Sequence, residues 1–291
     1  MSQQPKRCAF LTSEGVPSEL VHDHLTYPPL RRSGWEVEVI PWTTPTPDWH
    51  RFDAVVIRST WDYHRQLGRF LDVLGAIEQG GARLFNPADV CRWNAEKTYL
   101  RDLEQAGIPV VPTDWLSRLT PAALAECFAR HGAGRLVVKP TVGASAEDTF
   151  PLSRDDEPGW AEALRAFADR PVMVQPFVDS IANEGEYSLF YFGGEFSHAI
   201  RKVPRVGDFR VQEEYGGRLE SVTPPEELRA TGERAARFAG EELLYARADL
   251  VRLEDGALAV MELELIEPSL YFAFDEASPG RFAAALDRLA T

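Results

Sequence analysis

Short apolar runs and amphipathic stretches alternate along the first third of the chain. Cys8–Thr12, Trp35–Pro41, Ala54–Ile57 and Arg83–Phe85 read as strands, while 70–79 carries helical periodicity that stops at Gly80-Gly81. This rhythm predicts a parallel sheet with helices on its faces. Ligands of such sheets sit beyond the carboxyl ends of the strands. The run Arg58-Ser59-Thr60-Trp61-Asp62-Tyr63, which follows Ala54–Ile57, is therefore a candidate ligand loop. Its plain alternative is a loop holding a structural aromatic.

The pattern then changes. Helices are predicted over 94–106, 121–130 and 160–168, ended in the first two cases by Gly107 and by His131-Gly132. Between them lie strands at 135–140 and 171–178. The last part reads mostly as strands, at 187–192, 196–201, 245–253 and 258–266, with helices over 226–243 and 279–290. The predicted fold class is α/β, passing to α+β in the C-terminal part.

The hairpin over 245–266 is the most informative stretch. Glu254-Asp255-Gly256-Ala257 is a turn signal. Symmetric pairing about it sets Leu253 opposite Leu258, Asp249 opposite Glu262 and Arg247 opposite Glu264. Side chains alternate along a strand, so these last four share one face, and Leu250, Val260 and Leu263 face the packed side. Like charges opposite one another destabilise a sheet. Three carboxylates on one face need a reason, and a hard divalent cation such as Mg²⁺, with its preference for oxygen, supplies one. A solvated acidic face partly neutralised by Arg247 is the alternative.

Composition narrows the chemistry. The chain has 291 residues, 44% hydrophobic and 26% charged, with a formal net charge of −14. That is an ordinary globular composition, long enough for several packed units. No basic stripe is present, which argues against nucleic acid. No apolar run is long enough to span a membrane, and Met1–Arg7 is polar, so the cytoplasm is the expected location. Cys8, Cys91 and Cys127 are far apart and read as reduced thiols. Only four of the 31 basic residues are lysines: Lys6, Lys97, Lys139 and Lys202. A lysine is a compact point charge suited to phosphate. Lys139 ends a strand and opens the small-residue loop 141–146, where backbone N–H groups can approach phosphate. The loop lacks the GxxxxGK[ST] pattern. Lys97, on its predicted helix, reads by default as a surface residue.

In order, the motifs are Lys97, Lys139-Pro140 with its loop, the hinge Gln175-Pro176-Phe177-Val178, Gly185-Glu186, Lys202-x-Pro204, Gly207-Asp208-Phe209-Arg210, Gly216-Gly217, Asp249 and Glu262-x-Glu264. This order resembles the ATP-grasp superfamily, in the branch that includes prokaryotic glutathione synthetase. A narrower resemblance is carried by Ile57–Tyr63, Arg92-Trp93-Asn94 with Lys97, and Met261–Ser269. It is to ATP-grasp cyclo-ligases, which close O-ureido-D-serine into a ring at the expense of ATP.

The resemblance implies an N-terminal α/β unit over 1–92, a central ATP-grasp unit with a phosphate-covering loop over 93–176, and a C-terminal unit with a metal site over 177–291. Lys97 and Lys139 would contact the α- and β-phosphates, and the loop with Ser145 would cover them. Gln175, Pro176, Phe177 and Val178 would hold adenine, and Glu186 the ribose. Lys202 and Arg210 would act on the γ-phosphate and the acyl-phosphate transition state, and Asp249, Glu262 and Glu264 would hold Mg²⁺. Arg58, Ser59, Thr60, Asp62, Glu267 and Ser269 are the substrate candidates. The implied reaction joins a small-molecule carboxylate to a nitrogen nucleophile, with ADP released; a homodimer would be ordinary. Glu264 stands where the family often has Asn, Ser188 where it often has Arg, and Gln212 where Asn is usual. The competing readings are a catalytically silent ATP-binding module and a small-molecule kinase.

Overall fold

The computed structural model describes residues 5–17, 21–45, 47–144, 146–205, 207–211 and 215–291. Strands β1 (Lys6–Thr12), β2 (Trp35–Pro41), β3 (Ala54–Ser59) and β4 (Arg83–Phe85) form a parallel sheet in the order β2-β1-β3-β4. Alternation along β1 and β3 sorts the apolar side chains to two faces. Phe10 and Val56 pack with Phe282 and Leu286 of the final helix. Leu11, Val55 and Ile57 pack with Phe70, Leu74 and Ile77 of the helix over Leu67–Gln79.

Strands β5 (Asp114–Leu116), β6 (Arg135–Pro140), β7 (Phe150–Ser153) and β8 (Val172–Pro176) form an antiparallel sheet in the order β5-β8-β6-β7. It is covered by Leu124 and Phe128 of the helix Pro121–His131 and by Ala163 of the helix Glu157–Ala166. Thr120 caps the first of these helices by accepting a bond from the Ala123 amide at 3.1 Å.

The third sheet, also antiparallel, has the order β11-β10-β9-β12-β13 and contains β9 (Glu186–Phe192), β10 (Glu195–Val203), β11 (Arg218–Ser221), β12 (Tyr245–Arg252) and β13 (Leu258–Glu264). The helix Glu226–Ala239 packs Leu228 and Ala235 among Leu189, Leu250 and Val260. No helix among the described residues is long and apolar enough to cross a membrane. The three cysteines are buried free thiols.

Two buried asparagines tie the sheets together. Asn86, just past β4, donates to the Tyr245 carbonyl at 2.9 Å and the Leu265 carbonyl at 2.8 Å, and accepts from the Leu244 amide at 2.9 Å. Asn94 donates to the Leu263 carbonyl at 2.8 Å and accepts from the Leu265 amide at 2.9 Å, so it stands in for a missing strand beside β13. Asn86→Ala is expected to destabilise the protein by about 3 kcal/mol, because three buried bonds worth about 1 kcal/mol each are lost and their partners stay buried. Urea unfolding of the two proteins measures this.

The structure departs from the sequence expectations in several places. The predicted helix over 94–106 is two helices, Ala88–Asn94 and Tyr99–Gln105, with a break at 95–98. The break places the Lys97 amide against the Thr141 carbonyl at 2.7 Å, so Lys97 turns inward instead of lying on a helix surface. The helix expected to reach residue 243 stops at Ala239, because Gly240 takes φ 152°. β5, β7 and β11 are short strands that the pattern left unassigned.

The hairpin register also differs near its turn. Arg252, not Leu253, faces Leu258, since the Leu253 amide donates to the Ala257 carbonyl at 2.8 Å. A bulge between Asp249 and Leu250 then makes Met261 the extra residue and sets Asp249 opposite Glu262 and Arg247 opposite Glu264, as expected. Without it, Glu262 would fall on the opposite face from Asp249.

Candidate active site

A cleft of about 690 Å³ opens between the second and third sheets, with residues that follow β3 at one end. Three of the four lysines line it: Lys97, Lys139 and Lys202. Lys97 pairs with Glu262. Lys202 lies 3.1 Å from Glu186 and 3.6 Å from Asp249. Lys139 has no carboxylate partner among the described residues; its ammonium rests 3.9 Å from the Met261 sulfur. Burial, only partly offset by Glu262, pulls the Lys139 ammonium down to about 8.

The carboxylates sit on the face that the register dictates, and each is paired with a cation: Glu262 with Lys97, and Asp249 and Glu264 with Arg247. Arg247 holds Asp249, with Nη2 at 2.9 Å from Oδ2, and also pairs with Glu264. Ser188, opposite Asp249 on β9, donates to the same carboxylate. The guanidinium that Ser188 does not provide thus comes from Arg247 on the neighbouring strand. Against the penalty of burial, Arg247 and Lys202 keep Asp249 below its ordinary range. Burial, with Glu262 and Asp249 alongside, raises Glu264 to about 7 despite Arg247.

Among the described residues no three acid, imidazole or thiol groups already converge as a metal cage. The donor set still fits Mg²⁺. It is all oxygen, it shares one face, and Glu264, raised by burial first and by Glu262 and Asp249 after it, is an acid whose charged form a divalent cation would stabilise.

The hinge lines the cleft with Gln175, Pro176, Phe177 and Val178. The Gln175 side chain donates to Thr113 at 2.9 Å, and the Phe177 ring lies 3.7 Å below the Arg135 guanidinium. Glu186 and Arg210 also line the cleft. Arg210 is folded back on Asp208, with Nη2 at 2.9 Å from Oδ2, and its guanidinium stacks 3.8 Å from the Tyr215 ring. Ser145 and Gln212 lie outside the described residues.

The substrate candidates divide. Glu267 and Ser269 line the cleft; Arg58, Ser59, Thr60 and Asp62 are not among its lining residues. Arg58 is buried, donating to Asp23 at 3.0 Å and to the Pro268 carbonyl at 3.2 Å. Ser59 bonds Thr12 at 2.7 Å, Thr60 is fully buried, and Asp62 accepts from Ser13 and from the Trp42 indole at 2.7 Å. Trp61 and Tyr63 face the cleft in their place. Arg247 and Tyr271 are cleft residues outside the site residues named from the sequence, whereas Trp61 and Tyr63 belong to the candidate ligand loop though not to the substrate candidates drawn from it. Strand alternation already put Arg247 on the acidic face, so its signal was present.

The small-residue loop is latched to the N-terminal unit. Glu147 accepts from Arg65 at 3.3 Å and lies 2.9 Å from His64 Nε2. Glu147 is half exposed, so the latch is worth at most about 1 kcal/mol. Glu147→Ala is expected to raise about threefold the KM for the ATP that the motif order implies, an effect that 1 M salt should largely erase by screening the latch of the unmodified protein. Steady-state ADP release at both salt concentrations checks it.

An N-terminal parallel sheet joined to two antiparallel sheets, with a lysine- and carboxylate-lined cleft between them, is the architecture of an ATP-grasp enzyme. D-alanine–D-alanine ligase from Bacillus anthracis shares this fold at a TM-score of 0.71 and 18% identity, over 98% of this chain and 97% of that one. Residues 8–86 match the model of the N-terminal domain of D-cycloserine synthetase DcsG, and residues 109–247 that of the ATP-grasp domain of prokaryotic glutathione synthetase. The cycloserine biosynthesis protein DcsG of Streptomyces lavendulae is 36% identical over 287 residues, covering 89% of this chain and 92% of that protein. The crystal structure of D-cycloserine synthetase DcsG aligns at a TM-score of 0.87 with 33% identity, over 98% of this chain and 100% of that one. The chain belongs to the ATP-grasp ligases, whose reaction is ADP-forming C–N ligation.

Proposed function

We propose that this enzyme uses Mg-ATP to activate the carboxylate of a small amino-acid-like substrate and closes it onto a nitrogen of the same molecule, with O-ureido-D-serine as substrate and D-cycloserine as the ring produced. The similarity to DcsG along nearly the whole chain supports the substrate. The observation that carries the chemistry is the cleft itself: Lys97, Lys139 and Lys202 face Asp249, Glu262 and Glu264 across one space.

In this reading the hinge Gln175–Val178 holds adenine and Glu186 the ribose. Lys97 and Lys139 hold phosphate, and Asp249, Glu262 and Glu264 hold Mg²⁺. Bound there, Mg²⁺ neutralises charge on the phosphates. The substrate carboxylate attacks the γ-phosphorus, ADP leaves, and an acyl phosphate forms. The nitrogen then attacks the acyl carbon, a proton is lost from nitrogen, and inorganic phosphate departs; the carbamoyl group that this nitrogen still carries is cleaved by water, leaving as carbon dioxide and ammonia and returning a proton to the ring nitrogen. Lys202 and Arg210 stabilise the transferring phosphoryl group, which requires Arg210 to exchange Asp208 for phosphate. Arg247, held in place by two carboxylates, is a fixed cation for the charge that develops on the acyl oxygen. Positioning and charge supply the catalysis, with no covalent intermediate on the protein.

The test is ADP and phosphate release with O-ureido-D-serine, read beside product formation. One ADP per ring closed supports the reading. No ADP above background, while Mg-ATP still binds, overturns this substrate. Positional isotope exchange in ATP without ring formation would mark a kinase instead.

A further inference from the structure

One carboxyl in the cleft forms no ion pair among the described residues. Glu186, Asp249, Glu262 and Glu264 are each paired, whereas Glu267 has no ion pair and no side-chain hydrogen bond among the described residues. It is nonetheless held firmly. Three successive backbone carbonyls of its segment are pinned by three side chains: Glu267 by the Trp61 indole at 3.2 Å, Pro268 by Arg58 at 3.2 Å, and Ser269 by Arg247 at 3.3 Å. The Arg58 guanidinium is itself fixed by buried Asp23. Such pinning fixes the backbone from which the Glu267 side chain projects into the cleft.

Two aromatic side chains are close to it: the Trp61 indole bonds its carbonyl, and Glu267 acts electrostatically on Tyr63. Trp61, Tyr63 and Tyr271 line the same cleft. Ring faces and a carboxylate together make a receptor for a compact cation, by cation–π attraction and charge-assisted hydrogen bonding. Burial, with Glu264 nearby, raises the Glu267 carboxyl well above its ordinary range despite the opposing charges of Lys97 and Arg247. We propose that Glu267 is a specificity-determining residue that receives the α-ammonium of the substrate, so that the enzyme selects α-amino acids over the same acids lacking the amine. This rests on the ligase reading above and deepens it. Glu267 lies three residues beyond Glu264, on the segment that leaves the metal face. An ammonium one carbon from the reacting carboxylate is therefore directed to Glu267 while that carboxylate faces the phosphate end.

The experiment measures ADP release from O-ureido-D-serine, a panel of other α-amino acids, and the desamino counterpart of each, with the unmodified enzyme, Glu267→Gln and Glu267→Asp. Melting temperature and Mg-ATP affinity are measured for each variant, so that misfolding is seen. The unmodified enzyme is expected to prefer an amino substrate by about 30-fold or more in kcat/KM, the effect of leaving a buried charge pair unpaired. Glu267→Gln is expected to lose that preference, leaving the desamino rate nearly unchanged, and Glu267→Asp to recover part of it. Equal loss on both substrates in Glu267→Gln, or retention of the full preference, overturns the assignment. Turnover of other α-amino acids but not O-ureido-D-serine sinks the substrate reading alone. Turnover of desamino acids only, or of none of these compounds, sinks the Glu267 assignment.

Discussion

Glu262→Gln is expected to lower kcat/KM for ADP release by at least about 100-fold, the scale set by removing one well-placed electrostatic group from an active site. Two losses combine. The amide is a weak metal ligand, and Lys97 loses the carboxylate that pairs with it. Against burial, Glu262 raises the Lys97 ammonium, so Lys97 in the variant is easier to deprotonate and less firmly placed. Raising Mg²⁺ concentration should recover the metal part of the deficit and leave the Lys97 part. Assays across Mg²⁺ concentrations separate the two, and activity within threefold of the unmodified enzyme would remove Glu262 from the metal site.

The second large effect concerns Lys139. Lys139→Met should weaken Mg-ATP binding by about 30-fold or more, as expected for deleting one member of a buried charge pair. The more diagnostic result is its pH dependence. In the free protein the Lys139 ammonium is drawn down to about 8 by burial. A phosphate alongside would raise it, so the bound state holds the proton to higher pH. Below pH 8 Lys139 is already charged, and binding takes up no proton there. Above pH 8 binding must recruit one, so affinity falls up to about tenfold per pH unit until the bound-state value is reached. Calorimetry at pH 9 in buffers of different ionisation enthalpy should show proton uptake of nearly one, absent in Lys139→Met. Identical uptake in both proteins would show that another group titrates.

Much of this site was legible in the chain because its signals are local. The scarcity of lysine pointed to Lys97, Lys139 and Lys202, and all three line the cleft. Lys97 was nonetheless misplaced on a helix, since helical periodicity runs through 95–98; the backbone bond from Lys97 to Thr141 breaks the helix, and no pattern near residue 97 encodes a partner 44 residues away. The loop after β3 shows the same limit. Its position beyond a strand end was readable, yet Trp61 and Tyr63 face the cleft while Arg58 and Asp62 hold Asp23, Ser13 and Trp42. Those partners come from other strands and loops, so loop composition alone could not assign the sides.

By itself the sequence determined the order of the longer strands and helices, the α/β to α+β character, and that Arg247 shares a face of its strand with Asp249 and Glu262 shares one with Glu264, because these follow from side-chain periodicity and turn chemistry. Tertiary structure decided the rest. It placed a bulge at Met261 that keeps the acids on one face and, among the described residues, left Lys139 and Glu267 without ion pairs while pairing Glu186, Asp249, Glu262 and Glu264 with cations. Periodicity fixes which way a side chain points from its own strand, whereas charge pairing depends on which distant strands and loops arrive opposite it.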